Sequence, residues 1–245
     1  MQIRYFSLAL LATIFFSFCS CEDEVIVPNP PSNSANIIMP LGASRVEGAR
    51  PAFESYRYEL WKLLVDGGWD FDYIGTRDDE ANYPSYAEQS FDLDHEGRGG
   101  WTSGQILGGI EDWLVQAGTP DIVLFSSPGG NDALQNRSYE QAIANINGII
   151  DALQAANPEI TILIEQLAPA VESAMTGDLL TYFESLQADV VTIASEQTTD
   201  QSTVIVVDMA TGFTDEFLAD DVHYNEAGAR FIADRYYTNL VQVLE

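Results

Sequence analysis

DIVLFSSPGGND, residues 121–132, holds an apolar run that ends on a polar, glycine-rich turn. A strand with one face in water alternates apolar and polar residues. A run nearly continuous in apolar character, as 121–125 is after its leading Asp, suits a strand covered on both faces by helices in a parallel sheet. Working outward, 36–39, 160–165 and 203–207 share this character, being rich in Ile and Val. A fifth run, 69–74, alternates Trp69, Phe71 and Tyr73 with Asp70 and Asp72 and suits an edge or near-edge strand. Segments of helical period lie between the runs. Phe53, Tyr56, Leu60 and Leu63 form one stripe, stopped at Gly67; Ile106, Ile110, Trp113 and Ala117 form another, stopped at Gly118. Ser138 with Gln141 reads as a capping box ahead of Ile143, Ile146, Ile150 and Leu153. Leu179, Phe183, Leu186, Val190 and Ile193 make a fourth stripe, and Ala229, Ile232, Tyr236 and Leu240 a fifth. Strands alternating with helices predict an α/β fold, a three-layer α/β/α sandwich around a mostly parallel five-stranded sheet. Its ligand site is expected beyond the carboxyl ends of the strands. Residues 76–93, polar and without period, read as a long loop.

The chain has 245 residues, enough for one such domain once its N-terminus is set aside. A net charge of −28 opposes binding to nucleic acid, whose affinity for proteins rests on Lys and Arg neutralising phosphates. Residues 1–20 carry Arg4 and then an apolar run too short for a membrane span, the pattern of a secretion signal. It ends Cys19-Ser20-Cys21, and a small residue directly before a cysteine resembles the cleavage box of bacterial lipoproteins, with Cys21 lipidated; an ordinary secretory signal is the alternative. Residues 21–35 are acidic and then rich in Pro, Asn and Ser, which predicts a flexible tether ahead of a domain at 36–245. The protein is thus expected outside the cytoplasm, held at a membrane, outer membrane or cell surface, by its lipid anchor alone. Both cysteines lie at the N-terminus, so the domain has neither a disulfide nor a thiolate metal site.

A serine hydroxyl is a weak nucleophile and needs a base, a group to orient the base, and donors for the oxyanion. The chain has two histidines. His223 follows Asp220 by three residues, a spacing that serves a turn hydrogen bond as well as an acid–base pair; His95 lies in Asp94-His95-Glu96-Gly97, read as loop. Asp208, at the end of a strand, competes with Asp220 as the orienting acid.

Four separated segments, taken together, resemble the four blocks of the SGNH (GDSL) hydrolase superfamily in order: IIMPLGASRVEG (37–48), HEGRGGWTS (95–103), SPGGND (127–132) and DDVHYNEAG (220–228). The resemblance implies a flavodoxin-like fold in which Ser44 is the nucleophile, His223 the base and Asp220 the acid. It assigns the oxyanion hole to the Ser44 and Gly100 N–H groups and the Asn131 amide, and requires no metal or organic cofactor. Ala43 stands where the family usually has Asp. FDLDHEGRGGWTS, preceded by WDFDYIG, is similar to carbohydrate acetylesterases. The implied activity is hydrolysis of short, acetyl esters on carbohydrates; a lysophospholipase or thioesterase, and a non-catalytic carbohydrate-binding lipoprotein, are the rivals. Trp101 is a candidate wall for a sugar or acyl methyl, or a packing residue. Arg45 and Arg98 flank the proposed site, as substrate contacts or as partners of carboxylates. Ser126 and Ser127 read as polar residues at a strand end.

Overall fold

The structure is a computed structural model and describes residues 28–245. The signal segment, Cys21 and the first part of the tether lie outside the described residues. Within the tether, Asn29 donates its backbone N–H to Gln116 O at 2.7 Å and its amide to Gly75 O at 3.2 Å, so this end of the segment already rests on the domain.

The chain then runs β1 (Asn36–Gly42), α1 (Ser44–Glu47), α2 (Arg57–Gly67), β2 (Phe71–Tyr73), β3 (Arg77–Asp78), β4 (Asp94–Gly97), α3 (Ser103–Ala117), β5 (Ile122–Phe125), α4 (Gly130–Leu134), α5 (Tyr139–Ala156), β6 (Thr161–Gln166), α6 (Gly177–Gln197), β7 (Thr203–Asp208) and α7 (Glu226–Leu240). The five expected strands form a parallel sheet in the order β2-β1-β5-β6-β7. Their side chains alternate between two cores. Met39, Leu41, Val123, Phe125, Ile162 and Ile164 meet α3, α5 and α6 on one face. Ile38, Leu124, Leu163 and Val207 meet α2 and α7 on the other. This double covering is what continuous apolar strands require.

The sheet has seven strands, not five. β4 pairs in parallel with Leu41 and Gly42 at the end of β1, and β3 pairs antiparallel with β4. The supposed loop 76–93 therefore supplies β3, and His95 lies on a strand. Periodicity missed β4 because DHEG is polar, yet His95 and Glu96 are buried. Polar partners stand in for apolar burial: Glu96 accepts the Thr76 N–H at 2.8 Å and pairs with Arg98 at 2.6 Å.

Two local expectations also change. Ser138 accepts the Gln141 N–H at 3.2 Å, but the Gln141 amide turns to Asn145 at 2.9 Å, leaving half of a capping box. The full box closes at Thr102 and Gln105, at the start of α3. The first stripe begins only at Arg57, because Glu54 pairs with Tyr224 through an N–H···O bond of 2.8 Å, so Phe53 is left outside the helix.

The β3–β4 edge makes stability depend on pH. Asp94, opposite Asp78, is pushed up to about 7, first by burial and then by its hydrogen bond with Asp78 and the charges of Asp92, Asp78 and Asp72. Asp92 is pushed up to about 6, chiefly by burial. A carboxyl raised above its ordinary 3.8 binds more protons folded than unfolded, so its contribution to stability falls as pH rises from there to about 7. Replacing Asp94 by Asn removes that loss. In calorimetric scans the midpoint of Asp94→Asn, relative to wild type, is expected to rise between pH 5 and pH 8. A constant or falling difference would contradict the argument.

Candidate functional site

β1 ends at Gly42, where the strand runs so close to the end of its neighbour β5 that a Cβ would sit 2.8 Å from Ser126 O. That close approach needs glycine. Two residues later Ser44 opens the one-turn helix α1 at the carboxyl edge of the sheet. His223 stands on the loop before α7. Its Nε2 is 2.9 Å from Ser44 Oγ, and its Nδ1 is 2.7 Å from Asp220 Oδ2. A carboxylate accepts only, so the ring proton belongs on Nδ1 and the Nε2 lone pair faces the Ser44 hydroxyl. The other Asp220 oxygen accepts the Val222 N–H at 2.9 Å and the His223 N–H at 2.8 Å. Partial burial opposes ionisation of Asp220, but these donors and the imidazole hold its carboxyl below the usual range. Phe53 stacks on the imidazole at 3.8 Å between centroids, 11° from parallel, and restricts its rotation.

Asp208 is occupied elsewhere. Its Oδ1 accepts the Ala210 and Thr211 N–H groups at 2.9 Å each, and Oδ2 lies 3.7 Å from Arg235. His95 is buried, its Nδ1 accepts the Gly97 N–H at 3.0 Å, and burial followed by the charges of Arg57, Arg77 and Arg98 pushes its pKa down to about 2. It cannot serve as a base.

The loops after β4 and β5 meet beside Ser44. Gly99 N–H donates to Glu47 Oε2 at 2.8 Å, and a Cβ on Gly99 would lie 4.0 Å from Ser44 Cβ. Gly100, exposed and with φ of +77°, takes the left-handed turn that glycine favours, and its carbonyl accepts from Gln135 at 2.7 Å. Asn131 donates one amide proton to Trp101 O at 2.8 Å. Ser44 and Asn131 share the lining of a pocket of about 40 Å³ with Leu134, Leu167, Ala170 and Phe183; Gly100 is not in that lining.

Of the two candidate substrate contacts, Trp101 is half-buried beside the site and Arg45 is engaged with the backbone. Trp101 is absent from the pocket lining, and its ring packs on Trp113 at 5.6 Å with the Arg98 guanidinium 5.2 Å from it. Arg98 pairs with Glu96, as a carboxylate partner. Arg45 borders the pocket, but its guanidinium is spent on backbone carbonyls: Val222 O at 2.8 Å, Ala168 O at 2.8 Å and Pro169 O at 3.1 Å. It thereby ties the turn holding Ser44 to the residue before His223 and to the loop after β6. Lysine cannot reproduce this fork. In Arg45→Lys, turnover is expected to fall about 10²-fold with KM little changed, because a displacement near 1 Å at reacting groups costs that much. An unaltered kcat in steady-state kinetics would exclude the tie.

Phe53, Glu47 and Glu165 are the site residues that sequence reasoning missed. Glu165 accepts the Ser127 N–H at 2.7 Å and, fully buried, is raised above the usual carboxylate range by that burial. A lone acid closing the apolar run 160–165 was its signal. Ser127 therefore shapes the pocket wall as well as ending a strand.

A hydroxyl, an imidazole and a carboxylate in series, opening on a small apolar pocket, can carry out acyl transfer to serine. The comparisons with known proteins bear on this. The model of the GDSL-like Lipase/Acylhydrolase family matches residues 64–231, a stretch that contains Asp220 and His223 and begins after Ser44. No curated protein matches the chain. Among solved structures, a carbohydrate esterase family 3 protein from Talaromyces cellulolyticus is similar at 28% identity over 85% of this chain and 97% of that one, with a TM-score of 0.73. An acetyl esterase mutant with acetate ion gives the same figures. The Clostridium thermocellum family 3 carbohydrate esterase is 28% identical over 85% of this chain and 96% of its own, with a TM-score of 0.69. With the family model spanning most of the domain and these esterases sharing its fold, the chain belongs to the GDSL-like Lipase/Acylhydrolase family and is a carboxylic ester hydrolase.

Proposed function

We propose that this esterase removes acetyl groups from carbohydrates, with Ser44 as nucleophile, His223 as base and Asp220 orienting the imidazole. The observation that carries the reading is the series Ser44 Oγ, His223, Asp220, with contacts of 2.9 and 2.7 Å, placed at the mouth of a pocket of about 40 Å³. Such a volume holds about three water-sized groups, the scale of an acetyl group. Glu47, at the end of α1, and Arg50 line a polar groove of about 510 Å³ together with Arg77, Asp78 and Glu80, among others. It suits a hydroxyl-rich alcohol portion.

In this reading Ser44 Oγ attacks the ester carbonyl carbon while its proton passes to His223 Nε2. The Ser44 and Gly100 N–H groups and the second Asn131 amide proton stabilise the oxyanion. The C–O bond to the sugar then breaks, the leaving oxygen takes the proton from His223, and water releases acetate from Ser44 by the same steps. The reading extends to location: the N-terminal segment supports export and lipidation at Cys21, which would hold the domain at a membrane surface close to polymeric substrate.

The test is to measure acetate released from acetylated xylan and acetylated monosaccharides alongside hydrolysis of long-chain acyl esters. Release from the carbohydrates at the higher kcat/KM is expected. Preference for the long chains would replace the reading with a lipase-like one.

A further inference from the structure

Leu134 has an unusual place beside the acyl pocket. It is the last residue of α4 and, at 41% exposure, one of the few large apolar side chains among the described residues that face solvent. Its side chain lines the pocket of about 40 Å³ next to Ser44. It also lines a second cavity of about 330 Å³, with Ala133, Arg137, Leu179 and Tyr182 among the other walls. The two spaces run side by side along α6, which gives Phe183 to the first and Leu179 and Tyr182 to the second. Phe183 is buried in the core and fixed there, whereas Leu134 belongs to neither core cluster.

We propose that Leu134 is the partition that sets acyl length: it closes the small pocket against the larger cavity, and its removal joins the two into a site for longer straight acyl chains. The inference rests on the reading of Ser44 as nucleophile and of the small pocket as the acyl site. The chemistry is unchanged, since the acyl carbon still passes from the alcohol oxygen to Ser44 Oγ and then to water. Only the space behind that carbon differs. Leu179 and Tyr182 supply apolar wall for the added methylenes, and Asn136, Arg137 and Asp178 make up the polar part of the same lining.

The experiment compares kcat/KM for p-nitrophenyl acetate, butyrate and hexanoate in wild type, Leu134→Ala and Leu134→Phe, with circular dichroism on each protein. One methylene admitted to or refused by an apolar pocket changes kcat/KM by roughly 10- to 200-fold. Leu134→Ala is therefore expected to raise the hexanoate-to-acetate ratio by about tenfold or more, and Leu134→Phe to lower the butyrate-to-acetate ratio. If Leu134→Ala does not fold, Leu134→Val carries the same expectation for butyrate. Ratios within about twofold of wild type in folded variants that still hydrolyse acetate overturn the partition and leave the Ser44 reading standing. A Ser44→Ala protein as active as wild type removes that reading instead, and the partition with it.

Discussion

Ser44→Ala is expected to cut turnover of an aryl acetate by roughly 10⁴–10⁶-fold, the loss seen when the nucleophile of such a unit is removed. The size of the effect follows from the absence of a substitute. Among the described residues, Ser44 Oγ is the one hydroxyl bonded to the His223 ring. Ser126 is buried, Ser127 bonds to Glu165, and Ser103 bonds to Asp132. Ser127 lines the same pocket, but neither it nor the other two is bonded to the His223 imidazole, so none has that base to take its proton. The fold should survive, because Ser44 is half-buried at the first residue of a one-turn helix and its hydroxyl caps nothing in that helix. The assay is single-turnover and steady-state hydrolysis with circular dichroism as control. A folded Ser44→Ala protein of wild-type rate would remove the nucleophile assignment.

Asp220→Asn is expected to lower turnover by up to roughly 10⁴-fold, and Asp208→Asn to leave it within about tenfold, since only an acid that bonds the base sets its tautomer. Asp220 accepts from His223 Nδ1 at 2.7 Å and from the backbone N–H groups of Val222 and His223. An amide there presents a donor to Nδ1, which favours the ring proton on Nε2, the nitrogen that must accept from Ser44. The lowered pKa of Asp220 keeps the carboxylate ionised as pH falls below the ordinary carboxylate range, so wild type should not lose this support in mild acid. Asp208 is also held ionised: burial opposes this, but hydrogen bonds from Thr211 and Ala210 and the nearby Arg235 outweigh it. Its charge nevertheless serves its own turn. Turnover of both variants across pH decides the matter, and a crippled Asp208→Asn beside a near-normal Asp220→Asn would reverse the assignment.

What could be read in one dimension was what repeats or what sits at fixed short spacing. Apolar runs such as 122–125 announce strands because both faces are buried, and the stripe Ile106, Ile110, Trp113, Ala117 announces α3 because its period is that of a helix. β4 escaped this logic: its burial rests on Glu96 paired with Arg98 and Thr76, partners that no period reveals. Phe53 escaped it too, its apolar character placing it in a helical stripe while a bridge between Glu54 and Tyr224 drew it to His223.

Fold class, family resemblance and the candidates Ser44, Asp220, His223, Gly100 and Asn131 were legible along the chain, since strand pattern and motif are local properties. Which acid touches the imidazole, that Arg45 clamps carbonyls and leaves no hydrogen-bond fork free for substrate, and that one exposed leucine lines two cavities emerged from the packing alone. Ser44 and His223 are 179 positions apart, and their 2.9 Å contact exists because parallel strands deliver their ends to one edge of the sheet. Hydrogen bonds and cavity walls have ranges of a few ångströms. Which residues come within that range is set by how helices and strands pack, and no spacing along the chain encodes it.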